Sequence, residues 1–311
     1  MGFEAGRVCF AGEIGISMRQ RFLITVVLFV SLSVGCHTDD RKISQGEPVK
    51  PGETVAVPGE KGSEPAESQL RILSWNVESE GSDPATIAKQ LAEFSDFDII
   101  ALSEVLPSAA EQFQNAFGDD FDGIVTRSGY NDRLQILFNT KRFKLVRRLE
   151  LDEINDDRHR SPLVAHLHDN RTDQELLVMN NHLARGNAEY RTTQASQLVE
   201  WARQQSIPIV AVGDYNFDYE FKDDTGNDGF RAMLNDNVFK WVKPDKLVDS
   251  NWYDPEPDGK DNFPGSLLDF AFVAGPATEW NTVCNVIVRP NDFPDDQTTS
   301  DHRPFELIID N

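Results

Sequence analysis

Residues 207–216 read Ile-Pro-Ile-Val-Ala-Val-Gly-Asp-Tyr-Asn, an apolar run followed at once by polar residues. The unbroken apolar run over 207–212 predicts a strand buried on both faces, because a half-exposed strand alternates apolar and polar residues. Asp214 and Asn216 then stand at the end of this strand. Since strand ends meet along one rim of a layered sheet, these two side chains are candidates for a binding site at that rim.

Polar residues stand at the ends of other predicted strands as well. Asn76, Glu104 and His182 each follow a short apolar run, and Asp301-His302 precedes the last one. Asp301 offers an oxygen ligand for a hard cation, and the adjacent imidazole can move a proton near neutral pH or orient a phosphate. One such residue alone is more often a cap or turn residue. Their repetition at several strand ends favours a shared site.

The remaining pattern indicates many strands and a few helices. Asp83-Pro84 is typical of a helix start, and apolar residues follow it at helical spacing. Further helices are predicted over 107–117 and 189–204, and strands over 70–77, 97–102, 123–126, 134–138, 143–151, 163–167, 176–180, 207–212, 267–273, 282–288 and 305–309. This pattern predicts an α/β (α+β) domain in which two packed β-sheets lie between outer helices.

The composition indicates a folded, soluble and acidic protein. The chain has 311 residues, 39% of them hydrophobic, which is enough for a sizeable core. Its formal net charge of -22 speaks against a broad basic groove for nucleic acid, although carboxylates that bind a metal also add to this count. Cys284 lies in an apolar run and is predicted to be buried and inert. Since no zinc-type spacing of cysteine or histidine is present, a structural zinc site is not expected.

The N-terminus resembles a bacterial export signal. Arg19 and Arg21 precede an apolar run over 22–34, and small residues lead to Cys36 as in a lipoprotein signal. This predicts cleavage before Cys36 and a lipid on it, so that the protein is exported and anchored to a membrane. Ser33 stands where that signal usually has leucine, and plain secretion or an uncleaved anchor therefore stays open.

Three segments follow from these patterns. Residues 1–36 form the predicted export segment, for which Met18 is a better start than Met1. The Pro- and Glu-rich stretch over 37–69 predicts a disordered tether. Residues 70–311 form the predicted folded domain, which we expect to act as a monomer.

Six short polar motifs occur along this domain: Trp75-Asn76, Ser103-Glu104, Asn181-His182-Leu183, Gly213-Asp214-Tyr215-Asn216, Leu268-Asp269-Phe270 and Ser300-Asp301-His302. In this order they resemble the endonuclease/exonuclease/phosphatase superfamily of metal-dependent phosphoesterases. The resemblance covers roughly residues 70–309. It implies a four-layer sandwich of two β-sheets between helices, which agrees with the strand pattern.

The resemblance also implies a metal site and a water site. Glu104 matches the family's principal metal-binding glutamate, and Asn76 and Asp301 complete the region around a Mg²⁺ or Mn²⁺ ion, for which oxygen ligands are suited. Asp214 and Asn216 match the pair that positions the attacking water and a phosphate oxygen.

Other residues match the phosphate-binding groups of the family. Asp269 matches the carboxylate that orients the final histidine, His302, and His182 matches a second histidine that contacts phosphate. Arg160 matches a phosphate-clamping arginine, for which a surface ion pair is the alternative.

Some positions depart from the family pattern. Glu78 stands where some members have a further metal carboxylate, and Gln135 lies in the strand that carries the family's phosphate-contacting tyrosine. His159, His166 and His168 are interpreted as structural.

The resulting hypothesis is an exported, metal-dependent phosphoesterase. It would hydrolyse a phosphodiester by in-line attack of water, without a covalent intermediate. A catalytically silent module that binds a phosphate ligand on the same fold is the alternative. Whether the substrate is a nucleic acid or a phospholipid stays open, because the motifs contact only phosphate. We expect the loops over 219–228 and 253–264 to shape the substrate entrance.

Overall fold

A computed structural model describes the domain that follows the predicted tether. It covers residues 69–156, 158–256, 258–290, 292 and 298–310. The predicted export segment over 1–36 and the tether up to residue 68 lie outside the described residues. None of the helices in the described part is long and apolar enough to cross a membrane.

Within the described residues the chain forms twelve strands and four α-helices, joined by loops and short 3-10 turns. The strands are β1 (Leu70–Asn76), β2 (Ile99–Val105), β3 (Phe121–Val125), β4 (Arg133–Asn139), β5 (Phe143–Glu150), β6 (Leu163–Asp169), β7 (Gln174–His182), β8 (Ile209–Glu220), β9 (Phe239–Trp241), β10 (Ser266–Ala274), β11 (Asn281–Val286) and β12 (Phe305–Asp310). The helices are α1 (Pro84–Leu91), α2 (Ala110–Asn115), α3 (Ala188–Arg203) and α4 (Asp228–Met233).

The strands form two six-stranded sheets. Sheet I has the order β11-β12-β1-β2-β4-β3, and sheet II has the order β5-β6-β7-β8-β10-β9. Each sheet contains one parallel pair at its centre, β1 with β2 and β7 with β8. All other neighbouring strands pair antiparallel.

Alternation of side chains along the strands builds three hydrophobic layers. The inward faces of both sheets share one core, which includes Ile72, Ile136 and Val212. The outer face of sheet I packs on α1 and α2, and that of sheet II packs on α3 and α4. Each sheet is therefore covered on both faces, and the predicted four-layer sandwich of two β-sheets between helices is confirmed.

Local signals predicted several element starts correctly. The side chain of Asp83 caps α1 by accepting a hydrogen bond from the backbone N of Thr86, and Pro84 occupies the first turn. The predicted helix over 107–117 is shorter, at Ala110–Asn115. Helix α4 and strand β9 were not predicted, because both are short and have no distinct periodic pattern.

Strand β8 is longer than the predicted 207–212. It runs to Glu220 and pairs with β10 on both sides of an irregularity between Leu267 and Asp269. Gly213, Asn216 and Asp218 have positive φ within it. The polar residues after Val212 were therefore wrongly interpreted as the end of the strand; they lie inside an irregular strand.

A buried arginine joins the two sheets away from the rim. The guanidinium of Arg142 pairs with Asp98 before β2, at 2.9 Å from Nη1 to Oδ2, and with Asp169 at the end of β6, at 2.9 Å from Nη2 to Oδ2. Nη1 also donates to the backbone O of Gln69. Because the Arg142 side chain is fully buried, losing one of these partners would leave an uncompensated charge.

Candidate active site

The two parallel strand pairs bring the polar motifs together. In sheet I, β1 and β2 run side by side, so Asn76 and Glu104 lie at neighbouring strand ends. In sheet II, His182 of β7 pairs with Asp214 of β8, and β10 places Asp269 opposite Asp214. Residues far apart in the chain therefore meet at one rim, because parallel neighbours end on the same side of a sheet.

Glu104 leaves the regular strand geometry where β2 reaches this rim. The pairing of β2 with β4 shifts between Leu102 and Val105, and Glu104 has a left-handed backbone with φ of 55°. Such a conformation costs free energy for a residue with a side chain, so it persists only where the surrounding structure holds it. It leaves the Glu104 carboxylate about a quarter exposed at the rim.

The amide of Asn76 holds two carboxylates in place. Its Nδ2 donates to Oε1 of Glu104 at 3.0 Å and to Oδ2 of Asp214 at 3.1 Å. Its Oδ1 accepts a hydrogen bond from the backbone N of Glu78 at 3.0 Å. Because a backbone N–H can only donate, this bond defines which end of the amide faces the carboxylates. Asn76 thus holds Glu104 and Asp214 through its nitrogen. Its role as a metal ligand stays a prediction, because an amide oxygen that accepts one hydrogen bond keeps a second lone pair.

Asp214 and Asn216 are locked to each other and to β7. Oδ1 of Asp214 accepts from the backbone N of Asn216 at 2.9 Å, and Nδ2 of Asn216 donates to the backbone O of Leu183 at 3.0 Å. Gly213 has φ of 132°, and a Cβ added there would lie 2.0 Å from the backbone O of Asn181. Only glycine lets the two strands approach this closely, and the close approach places Asp214 at the rim.

His302 forms a buried pair with Asp269. Nδ1 of His302 lies 2.8 Å from Oδ2 of Asp269, so Nε2 is left to face the cavity, 3.8 Å from Oδ2 of Asp214. Burial alone would lower the pKa of His302, but the carboxylates of Asp269, Asp301 and Asp214 outweigh it and raise this pKa well above its ordinary value. The three carboxylates therefore favour the protonated ring, whose Nε2 can donate to an anion.

The loop that carries His302 is tied to β1. The backbone O of His302 accepts from Nε1 of Trp75 at 2.9 Å, and its backbone N donates to Oγ of Ser300 at 3.0 Å. Oγ of Ser300 donates in turn to the backbone O of Asn76 at 2.6 Å. The backbone N of Asp301 donates to Oε2 of Glu78 at 2.9 Å. These hydrogen bonds give Trp75 and Ser300 a structural role beside the candidate site residues Asn76, Asp301 and His302.

His182 has a carboxylate neighbour, Asp132, that belongs to none of the six motifs. Nδ1 of His182 lies 3.3 Å from Oδ1 of Asp132, and Nε2 lies 3.4 Å from Oδ2 of Asp214 and 3.8 Å from Oε1 of Glu104. Burial and Arg160 act to lower the pKa of His182, but Asp132 and Asp214 raise it overall. Asp132 lies in the turn between β3 and β4. Aspartate is common in turns for conformational reasons, so its presence there does not indicate a functional residue.

Arg160 lies behind His182 and is engaged with protein groups. Its Nε donates to the backbone O of His182 at 3.0 Å, and its Nη1 donates to Oδ2 of Asp132 at 2.5 Å. The side chain is nearly buried, and Arg160 is not among the residues that line the cavity described below. Arg160 therefore supports His182 and forms an ion pair with Asp132, and its contact with a phosphate stays a prediction.

The motifs converge on a cavity of about 160 Å³. Six predicted site residues line it, namely Glu104, His182, Asp214, Asn216, Asp301 and His302. Five residues that were not predicted complete the lining, namely Arg185, Asn251, Trp252, Tyr253 and Leu268. Trp252 and Tyr253 belong to the long loop before β10, which supports the expectation that this loop shapes the entrance.

Helix α3 holds the loop that follows His182. Arg191 is buried and donates from Nη1 to the backbone O of Ala184 at 2.8 Å and of Arg185 at 2.9 Å. Oε1 of Gln194 accepts from the backbone N of Ala184 at 2.9 Å. Arg185 then reaches the cavity and donates from Nη1 to Oδ1 of Asn216 at 3.2 Å. A polar face on α3 thus positions one cationic side chain at the site.

Gln135 lies in β4, the strand in which the family pattern has a phosphate-contacting tyrosine. It is buried, and its Nε2 donates to the backbone O of Ala110 at 2.9 Å. Gln135 therefore stabilises the contact between β4 and α2 and is not among the lining residues of the cavity.

The donor set fits a divalent cation. Glu104, His182 and Asp214 each offer one ligand atom, and these atoms lie within 4.8 Å of one another. Asp301 lines the same cavity, and Glu78 lies beside it, so carboxylate oxygens predominate. Oxygen-rich sites with few nitrogen donors suit Mg²⁺ and Mn²⁺ better than softer metals. This set shares Glu104 with the predicted group and adds His182 and Asp214 to it.

Comparison with known families supports the sequence motifs. The profile of the Endonuclease/Exonuclease/phosphatase family matches residues 73–302, which include the cavity and its supporting hydrogen bonds. We found no curated protein whose sequence matches significantly.

Solved structures share the fold at low sequence identity. An endonuclease/exonuclease/phosphatase family protein of Bacteroides thetaiotaomicron is 19% identical with a TM-score of 0.60, and the match covers 78% of this chain and 94% of that one. A mannosyl-6-phosphatase of the same organism is 18% identical with a TM-score of 0.59, covering 77% and 99%. D. rerio TDP2, complexed with a single-strand DNA product, is 17% identical with a TM-score of 0.63, covering 79% and 100%.

Proposed function

Because this chain belongs to the endonuclease/exonuclease/phosphatase family, we propose that it is a metal-dependent phosphoesterase that hydrolyses a phosphodiester. The observation that carries the proposal is the convergence of Glu104, Asp214, Asn216, Asp301 and the two histidines on one cavity. Carboxylates for a cation, a water-orienting pair and charged imidazoles are the groups that attack of water on phosphorus requires.

Glu104 and Asp301 are the proposed principal metal ligands, because both carboxylates line the cavity. A bound Mg²⁺ or Mn²⁺ would polarise the phosphate and stabilise negative charge on the leaving oxygen. The amide of Asn76 bridges the carboxylates of Glu104 and Asp214 by donating a hydrogen bond to each. Without its amide, the two carboxylates would repel each other across the site.

Asp214 and Asn216 are proposed to orient the attacking water. Asp214 is 2% exposed, and its Oδ1 accepts from the Asn216 backbone while its Oδ2 accepts from Nδ2 of Asn76. The carboxylate is thus held in place, and its remaining lone pairs can take a proton from water. Asn216 is held by Leu183 on one side and by Arg185 on the other. A group held this firmly loses little entropy when it positions a water molecule.

His302 and His182 are proposed to bind the phosphate oxygens. Each ring has one nitrogen beside a carboxylate, Asp269 or Asp132, and turns its other nitrogen toward the cavity. A charged imidazole with such a partner donates to the increasing negative charge on phosphate in the transition state. This arrangement needs no covalent intermediate.

A catalytically silent phosphate-binding module is the second candidate. It is favoured by one observation, namely that Arg160 and Gln135 are both engaged with other protein groups and are not among the residues that line the cavity. The two candidates differ in turnover, which the experiment below measures.

The substrate and location are proposed from the sequence. The net charge of -22 favours a substrate smaller than a long nucleic acid duplex. Nucleic acids and phospholipids both contain a phosphodiester, so both classes are candidate substrates. We also propose that the protein is an exported monomer held at a membrane through Cys36, as the basic and apolar start of the chain indicates.

The proposal is tested with a panel of esters in the presence of Mg²⁺. Bis(p-nitrophenyl) phosphate, duplex DNA, single-stranded RNA and sphingomyelin cover the classes left open. At least one should be hydrolysed, EDTA should abolish the reaction, and Mg²⁺ or Mn²⁺ should restore it. Glu104→Gln should lower the rate by about two to four orders of magnitude. Glu111→Gln, at an exposed position in the first turn of α2, is the matched control. Phosphate binding without turnover would favour the silent module, and undiminished turnover in EDTA would contradict metal dependence.

A further inference from the structure

A larger cleft adjoins the cavity of the candidate active site. It measures about 650 Å³ and shares three lining residues with that cavity, namely Arg185, Asn251 and Leu268. Its outer part is formed by the far end of β8 and by the loop before β10, through Asp218, Glu220, Lys222, Asn262 and Phe263. None of these outer residues belongs to the six motifs. The volume is that of a site for a small organic ligand.

Asn251 is an unsatisfied polar residue at the junction of the two spaces. Its side chain is 5% exposed, and its Oδ1 is buried without a hydrogen-bond partner. Its backbone forms a β-bridge with His302, so the side chain is held in place. A buried acceptor without a partner costs free energy, which a ligand hydroxyl that donates to it would recover.

Phe263 presents an aromatic face to the same cleft. It is 53% exposed and stacks on Tyr253, with ring centroids 5.8 Å apart and planes inclined by 29°. The loop is ordered by hydrogen bonds from the backbone N of Asn262 to the backbone O of Tyr253, at 2.8 Å, and from Oγ of Ser266 to the backbone O of Phe263, at 2.9 Å. An exposed ring held in this way offers a flat apolar surface to a ligand ring.

The charges in the cleft disfavour a second phosphate. Asp218 and Glu220 balance Arg185 and Lys222, and Nη1 of Arg185 is already 2.7 Å from Oδ1 of Asp218. A neighbouring phosphate of a polynucleotide would therefore meet the carboxylates of Asp218 and Glu220 as well as the ammonium group of Lys222. Hydroxyl groups can donate to these carboxylates and accept from the amide of Asn262, so they suit the mixed lining.

We propose that this cleft binds a sugar ring, so that the substrate is a phosphorylated carbohydrate whose phosphate lies in the active-site cavity. The C–H face of the ring packs on Phe263, and one hydroxyl donates to Oδ1 of Asn251. This inference rests on the proposed function, since it assigns the group that the hydrolysed phosphate carries. The sugar phosphate is also the product that remains when a phosphodiester of that sugar is cleaved.

The test measures binding by calorimetry on the full chain with Mg²⁺. The probes are glucose, mannose and galactose 6-phosphates, with phenyl phosphate and adenosine 5′-monophosphate for comparison. At least one hexose phosphate should bind about tenfold or more tightly than both comparison probes. Phe263→Ala should reduce this preference about fivefold to tenfold, the range for loss of an aromatic contact. Val146→Ala, at an exposed apolar position on β5, should leave the preference as it is.

Asn251→Ala separates ring binding from phosphate binding. It should weaken the hexose phosphate more than phenyl phosphate, and an equal loss for both probes would contradict the proposed hydroxyl contact. Absence of any preference for a hexose phosphate, or tighter binding of adenosine 5′-monophosphate, would overturn the inference. If no ester is hydrolysed but the preference and its loss in Phe263→Ala are measured, the proposed function fails and the sugar site stands. If esters are hydrolysed without such a preference, the proposed function stands and the sugar site fails.

Discussion

Nδ1 of His302 lies 2.8 Å from Oδ2 of Asp269, although 33 residues separate them in the chain. Both side chains are nearly buried, and Asp269 comes from β10 of sheet II whereas His302 precedes β12 of sheet I. The pair thus joins the two sheets at the rim. It also leaves Nε2 of His302 as the nitrogen that faces the cavity.

A double-mutant cycle should show that this pair acts as one unit. We expect His302→Ala to lower kcat by about two to four orders of magnitude with a smaller effect on KM. Asp269→Asn should act through the same imidazole, so the double variant should be little slower than the slower single variant. Multiplicative losses, with each variant shown to be folded by circular dichroism, would mean that the two side chains act independently.

The same pair predicts a pH-dependent stability. The pKa of His302 is raised in the fold, so its contribution to stability is full below the ordinary histidine pKa of about 6.5 and is lost as pH rises through the folded pKa. Asp269→Asn removes a main cause of this shift. The loss in free energy of unfolding caused by Asp269→Asn should therefore be larger at about pH 6 than at about pH 9, as measured by urea unfolding in EDTA. A loss that grows with pH would contradict the assigned sign.

Asp132 should matter although it does not line the cavity. Its carboxylate lies 3.3 Å from Nδ1 of His182 and raises the pKa of that ring. Asp132→Asn should lower this pKa and reduce kcat about tenfold to a hundredfold, the usual cost of losing a group that orients an active-site histidine. NMR titration of His182 provides the second readout. Asp122→Asn, at an exposed position on β3 of the same hairpin, should change neither quantity.

Gly213 should tolerate no side chain. Its φ is 132°, and an added Cβ would lie 2.0 Å from the backbone O of Asn181, so neither strand can move without breaking the parallel pair. Gly213→Ala should lower the free energy of unfolding by about 3 kcal/mol or more, as strain in a core backbone does. Gly186→Ala is the control, because a Cβ at Gly186 would meet nothing within 4 Å. Equal urea midpoints for the two variants would disprove the steric argument.

Cys36 should control how the protein fractionates in a bacterial host. Lipid attachment at Cys36 predicts that the wild-type protein is recovered with membranes and has the added mass of the lipid. Cys36→Ser should release it or leave the signal uncleaved. Unchanged fractionation and mass would disprove the lipoprotein hypothesis, whereas export itself is measured separately by protease accessibility in spheroplasts.

Local sequence patterns were sufficient for most of the fold. Apolar runs and alternation depend on residues close in the chain, so they located the central strands, and Asp83-Pro84 located a helix start. They were not sufficient for β8, whose polar residues after Val212 stay in the strand because β10 pairs with them across an irregularity. Pairing partners override local composition in such places.

The residue types of the candidate site could also be predicted from the chain. Glu104, Asp214, Asn216, Asp301, His182 and His302 were identified from their motifs, and all of them line one cavity. The motifs contain most of the side chains that line the cavity, and short stretches of sequence are enough to recognise them. Their individual roles stay predictions until the variants are measured.

The partners of those residues were decided by the tertiary structure. Asp132 approaches His182 only because the β3–β4 turn reaches sheet II, and Asn76 turns its nitrogen to Glu104 because its oxygen is taken by the backbone of Glu78. The cleft at Asn251 and Phe263 likewise forms where a loop folds over the end of β8. Such contacts depend on strand register and on which loops meet in space, and residues next to one another in the chain contain no information about either.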